Sequence, residues 1–182
     1  MTLPLREGAL PWTEEDYFAL GETAERIELF DGSLYVSPAP TPRHQEISFW
    51  LKAALTPAAR EMDLKVFEAI NVRLRSGRIP IPDLVVTEQV DLDDPVVEAD
   101  DVRLVGEIVS PGNPAADRVL KMHYYAAAGI EWYLLVEPDG PTLRLYHLEG
   151  DRYREHSVAA PGTPLELGSP VKVSIDPATL LE

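Results

Sequence analysis

Apolar positions along the chain change period several times, and each change predicts an element. Near the start, Thr13 followed by Asp16 has the form of a helix N-cap, with Tyr17, Phe18 and Leu20 as apolar contacts and Gly21 as the stop. Alternation over Arg26–Phe30 and again over Leu34–Ser37, on either side of Asp31-Gly32, predicts a β-hairpin with a tight turn. Pro38, Pro40 and Pro42 make a stiff connector. Beyond it, Ile47, Leu51, Ala54 and Leu55 recur at helical spacing over Arg43–Met62, where Pro57 either kinks the helix or starts a new turn.

Lys65–Arg75 reads as extended, and Ile79–Val86 as a second strand interrupted by Pro80 and Pro82, which enters its sheet late, near Asp83. Thr87–Asp101 lacks periodicity and predicts a solvated loop. In Val102–Val109, Val102, Leu104, Gly106 and Ile108 occupy one face, and Arg103, Val105, Glu107 and Val109 the other. The second half of that strand is apolar on both faces, as in a central strand covered by other layers. A turn over Ser110–Asn113, Pro114 in the first helical turn and the Gly129 stop frame a helix running to Ala128. Glu131–Glu137, Leu143–Leu148 and Arg152–Val158 predict an antiparallel meander, with a last extended piece around Val171–Ile175.

The pattern as a whole predicts an α/β fold: a central mixed β-sheet flanked by α-helices, with an N-terminal hairpin and a C-terminal antiparallel meander. A length of 182 residues suits a single domain over 1–182, with a core of about 17–138 and a β extension over 139–182. No apolar run is long enough to span a bilayer, and the first dozen residues hold no signal-like stretch, so a cytoplasmic protein without membrane contact is expected. The absence of cysteine removes disulfides, thiolate nucleophiles and cysteine zinc sites.

A net charge of -15 argues against tight non-specific binding to nucleic acid. Part of that charge is local, because Glu88–Asp101 holds seven acidic residues and no Lys or Arg, yet the remainder is still acidic.

Glu107 lies within Leu104-Val105-Gly106-Glu107-Ile108-Val109, where an ionised side chain leaves water at a cost of several kcal/mol unless a partner or metal compensates. Asp83 opens the apolar run Asp83-Leu84-Val85-Val86. Two carboxylates meeting on neighbouring strands repel, and a hard divalent cation relieves both. Lys121 lies on the helix after the Glu107 strand and could bring an ammonium towards them.

Pro82-Asp83, Glu107 inside Gly-Glu-Ile-Val-Ser-Pro, and Asp117-Arg118-Val119-Leu120-Lys121 with Tyr125, Gly129 and Glu131-Trp132-Tyr133 resemble the Uma-type restriction endonuclease family. That family lies within the PD-(D/E)XK, or restriction endonuclease-like, nuclease superfamily. The resemblance extends from about Tyr17 to Pro138 and includes Glu28 and His44. It implies a metal-dependent endonuclease acting on nucleic acid, with DNA as the expected substrate. Asp83 and Glu107 would bind Mg²⁺, or Mn²⁺, with the carbonyl of Ile108 in the shell.

The superfamily pattern puts a lysine two residues after the glutamate, where this chain has Val109, so the resemblance assigns that role to Lys121. Glu28 would be an accessory carboxylate. A homodimer is expected on geometric grounds, since two-fold pairs suit two-stranded cleavage.

Plainer readings exist for each residue. Glu107 could pair with Arg103 or Arg118, Asp83 could be a turn residue after Pro82, and Lys121 could pair with Asp117 on a wet helix face. Glu28, alternating with Ile27 and Leu29, fits a surface glutamate equally well. His44 could line the entrance or serve a local hydrogen bond. Arg73 and Arg75, with Arg78, could track a nucleic-acid backbone or guard a strand edge. Trp132 and Tyr133 read as core, and His123, His147 and His156 as structural. The alternatives at the level of function are a non-catalytic protein-interaction module keeping the nuclease fold, and a metal-free carboxylate-pair hydrolase acting on a sugar.

Overall fold

The computed structural model describes residues 11–110 and 116–181, with the side chains of 116–118 left aside. The predicted turn over Ser110–Asn113 with Pro114, and any role for the side chains of Asp117 and Arg118, fall outside the described residues. In chain order the elements begin with α1 (Glu14–Phe18), β1 (Arg26–Phe30), β2 (Ser33–Ser37), α2 (Pro42–Glu61), β3 (Lys65–Glu68) and β4 (Val72–Arg73). Next come β5 (Arg78–Ile79), β6 (Leu84–Thr87), β7 (Val97–Glu98), β8 (Val102–Ile108) and α3 (Ala116–Ala127). The chain ends with β9 (Trp132–Glu137), β10 (Thr142–Glu149), β11 (Arg152–Ala159), β12 (Leu165–Leu167) and β13 (Val173–Ile175).

Six strands form the central sheet in the order β11-β10-β9-β8-β6-β3. Only the β8/β9 pair in it is parallel, and it is the pair that α3 connects, as a parallel crossover requires. β8 sits well inside the sheet, and all of its residues except Arg103 and Glu107 are buried. Gly106 lets the neighbouring strand close in: a Cβ there would lie 3.2 Å from the Leu84 Cβ.

On one face of the sheet, α2 contributes Ile47, Leu51, Leu55 and Ala59 against Leu84, Val86, Leu104, Leu134 and Val136. The same core takes in Leu165, Leu167 and Ile175 of the separate β12–β13 hairpin. Burying a leucine or isoleucine of this kind contributes about 1.5–3 kcal/mol. Pro57 lies inside α2 without ending it. On the other face, Tyr125 and Ile130 pack against Val85, Val105, Tyr133 and Leu135.

The acidic segment differs from the solvated loop predicted for it. Val97 and Ala99 are buried in the second core, and Val97–Glu98 pairs in parallel with Val72–Arg73. Two small apolar residues between carboxylates are enough to dock it, although they are too few to create a period.

The stretch Ile79–Val86 also splits. Its first part pairs with the hairpin, Leu29 opposite Ile79, whereas Leu84–Thr87 joins the central sheet. Pro80 and Pro82 lie at the crossing, where the chain leaves one ladder for the other and the missing N–H groups do no harm.

The predicted β1–β2 hairpin forms, with Leu29 opposite Leu34 and Phe30 opposite Ser33. Asp31 (φ 48°) and Gly32 (φ 83°) both adopt the left-handed backbone that a two-residue turn demands. A Cβ at Gly32 would also meet Pro11 at 2.6 Å. α1 carries the predicted capping box between Thr13 and Asp16. Its buried Tyr17 hydroxyl lies 2.8 Å from both the Ile27 carbonyl oxygen and Asn71 Oδ1, so its one proton is shared between two acceptors. α1 is thereby tied both to the hairpin and to the chain just before β4.

Candidate active site

Strand register brings Asp83 and Glu107 together. Leu84 is paired with Gly106 on antiparallel strands, so the next rung sets Asp83, just before β6, opposite Glu107 near the end of β8. Residues opposed in this way share a face of the sheet. Here it is the face of Val85 and Val105, which Tyr125 of α3 also packs against.

Lys121 and Tyr125, one turn apart on α3, reach the same carboxylate oxygen. Lys121 Nζ lies 3.2 Å from Glu107 Oε1, and the Tyr125 hydroxyl donates to that atom at 2.5 Å. Lys121 also donates to Glu28 Oε1 at 2.8 Å. Glu28 comes from β1 and is only 3% exposed. Its Oε1 accepts a second hydrogen bond, from the backbone N–H of Ile81 at 2.8 Å, which ties the hairpin to the approach of β6. The surface-glutamate reading of Glu28 does not hold, because its side of β1 faces the sheet end.

Asp83 is also 3% exposed and has three donors. Arg26 Nη1 donates to Oδ1 at 2.6 Å, the Ile108 N–H donates to Oδ2 at 2.7 Å, and His44 Nε2 lies 3.1 Å from Oδ2. His44 thus stands at the cluster, carried there by the first turn of α2, where Thr41 caps the helix by accepting from the His44 N–H. Arg26 is a participant that sequence reasoning missed. The available signal was parity: Arg26 is two residues from Glu28 on one strand and must share its face. Tyr125 was quoted within the motif without a role, although it is four residues from Lys121.

Arg73 and Arg75 are not brought to this cluster. Arg73 is paired with Glu14 and Glu98, and Arg75 with Asp31 at 2.8 Å. Arg78 grips the same Asp31 and stacks over the Tyr124 ring at 3.9 Å. Arg103, once a candidate partner for Glu107, is engaged by Glu88 instead. Trp132 and Tyr133 lie in the core, as their apolar strand suggested.

The electrostatics divide the site. Burial pushes the Asp83 carboxyl up, but His44, Arg26 and the Ile108 N–H outweigh it and hold the group well below the usual carboxylate range. Burial likewise raises Glu107, and there Lys121 does not win: Asp83 and Glu28 add repulsion, and the carboxyl stays above its ordinary value. Burial would lower the Lys121 ammonium, yet Glu107 and Glu28 raise it, so Lys121 keeps its proton at neutral pH.

Among the described residues no three carboxylates or imidazoles form a ready-made coordination shell. The chemistry of the donors nonetheless suits a hard divalent cation. Buried Glu28 and Asp83 and the partly buried Glu107 stand close enough to repel, and the second oxygens of Glu28 and Glu107 accept no hydrogen bond among the described residues.

The fold has a solved counterpart. A structure described as a "putative nuclease belonging to DUF820 from Anabaena variabilis ATCC 29413" superposes with a TM-score of 0.77 at 16% identity, over 94% of this chain and 98% of that one. No curated protein matches the chain. Among the described residues no helix is long and apolar enough to cross a membrane. A family model described as Uma2, "Putative restriction endonuclease", matches residues 14–178, which include every side chain of the cluster, and the chain belongs to that family.

Proposed function

We propose that this protein is a metal-dependent endonuclease that hydrolyses phosphodiester bonds, with DNA as its substrate. One observation carries the reading: Glu28 of β1 and Glu107 of β8 share the Lys121 ammonium at the end of the central sheet, and Asp83 stands opposite Glu107 beside them. A buried carboxylate cluster of this composition has little structural justification, since apolar residues of similar volume would be at least as stable there.

Asp83 and Glu107, with the carbonyl of Ile108, would hold Mg²⁺, for which Mn²⁺ is a fitting substitute. When bound, such an ion supplies Lewis-acid polarisation of a phosphoryl oxygen and lowers the pKa of water.

The chain's own groups do the rest. Lys121, kept protonated by Glu28 and Glu107, has no lone pair with which to accept a proton, so its role is to offset negative charge developing on the phosphoryl oxygens. Glu28 sets the direction of that ammonium, and the Ile81 N–H fixes Glu28. Tyr125 restrains Glu107 from the protein side. A two-fold homodimer would offer one such site to each strand of a duplex, and light scattering on the purified chain tests it.

Incubation of supercoiled plasmid with the purified protein and Mg²⁺ or Mn²⁺ is expected to yield nicked and linear products that a chelator suppresses. Asp83→Asn should remove that cleavage. Absence of metal-dependent cleavage of duplex DNA, single-stranded DNA and RNA alike would favour the non-catalytic module instead.

A further inference from the structure

Arg26 is a guanidinium with donors to spare beside the carboxylate cluster. Its charge is needed at Asp83, yet only one of its five N–H donors is used: Nη1 to Asp83 Oδ1, with no second hydrogen bond among the described residues. Two other arginines near the hairpin are more fully committed. Arg78 gives three hydrogen bonds to Asp31 and covers Tyr124, and Arg73 joins Glu14 to Glu98. Arg26 is also a quarter exposed, so part of its side chain reaches solvent beside the cluster.

Asp83 cannot serve both Arg26 and a cation without adjustment. Its Oδ2 already has two donors, the Ile108 N–H within the sheet and His44, which fills both lone pairs. Its Oδ1 has one lone pair left beside the guanidinium. A dication arriving at Asp83 must therefore sit against the Arg26 guanidinium, whose like charge repels it, or displace the His44 ring.

We infer that Arg26 is a phosphate-binding residue held in reserve by Asp83, released towards the substrate backbone when a divalent cation takes its place. The inference rests on the cation-site reading of Asp83 given above. It also addresses the charge problem. A chain of net charge -15 cannot attract nucleic acid through its overall field, so a local grip must come from a cation at the site itself. A planar guanidinium with unused donors matches phosphate oxygens in a way that an ammonium does not.

The test uses the full chain, with Ca²⁺ as the probe cation, and compares wild type with Arg26→Gln, Arg26→Lys and Asp83→Asn. Calorimetry measures Ca²⁺ affinity, and anisotropy of a labelled oligonucleotide measures binding with and without Ca²⁺. Removal of a competing charge should make Arg26→Gln bind Ca²⁺ about three- to tenfold tighter than wild type. In wild type, Ca²⁺ should tighten oligonucleotide binding about tenfold. Arg26→Gln should lose that gain, with a salt slope lower by about 1. Arg26→Lys, which keeps the charge but not the fork, should recover part of the gain. A melting curve confirms that each variant is folded.

Ca²⁺ binding that is unchanged or weaker in Arg26→Gln would overturn the inference, as would an undiminished oligonucleotide gain. If wild type shows no Ca²⁺ binding that Asp83→Asn removes, the cation-site reading itself fails, and the inference goes with it.

Discussion

The two carboxylates at the end of the β6–β8 pair stand opposite one another and live in opposite conditions. Asp83 has more donors than it needs, two side chains and a backbone N–H, and its carboxyl lies far below the ordinary range. Glu107 has both of its donors on a single oxygen and lies above the ordinary range. Burial alone cannot explain the difference, because both are enclosed. What differs is where the donors come from: the hairpin and α2 serve Asp83, whereas α3 must divide Lys121 between Glu107 and Glu28. Negative charge is thus neutralised at one end of the pair and left in excess at the other, which is the asymmetry a divalent cation would relieve.

The sharpest way to break this comparison is to neutralise each carboxylate in turn. Asp83→Asn and Glu107→Gln should both reduce Mg²⁺-dependent plasmid cleavage by ~10³-fold or more. Their stabilities should diverge. Asp83→Asn leaves Arg26 without its counter-ion and should lower stability by about 1–3 kcal/mol, a value discounted for the partial exposure of Arg26. Glu107→Gln removes a disfavoured charge while loosening Lys121, and should stay within about 1 kcal/mol of wild type. Equal losses in chemical denaturation would show that the two positions are not opposites.

Lys121→Met comes next. A loss of ~10²-fold in kcat with little change in KM is expected if the ammonium acts on developing charge. A change confined to KM would reassign Lys121 to substrate binding.

Tyr125→Phe removes one hydroxyl from the poorly supplied side. It should weaken Mn²⁺ binding by roughly tenfold in calorimetry and cost about 1 kcal/mol of stability. Unaltered Mn²⁺ affinity would mean that Tyr125 only fills space beside Glu107.

The smallest effect belongs outside the cluster. Arg75 pairs with Asp31 while both are well exposed, so Arg75→Ala should change stability by about 0.5 kcal/mol or less and leave cleavage intact. A tenfold fall in cleavage would extend the substrate path to the hairpin turn.

The sequence by itself determined the elements and the anomaly. Alternation marked the hairpin, helical spacing marked α2, and Glu107 within an apolar strand announced a charge with no local reason to be there. Asp83 and Glu107 were legible because their signal is local: each interrupts or opens an apolar run. The tertiary structure alone decided which donor attends which carboxylate. Arg26, His44 and Lys121 lie on separate elements, and their periodicity does not say which carboxylate each will meet, because those contacts join residues 57, 39 and 14 positions apart. Docking of Val97 and the splitting of Ile79–Val86 between two sheets were hidden for the same reason. A residue's period reports the face it occupies, while its partner depends on how whole elements pack, and that information resides in no single stretch of chain.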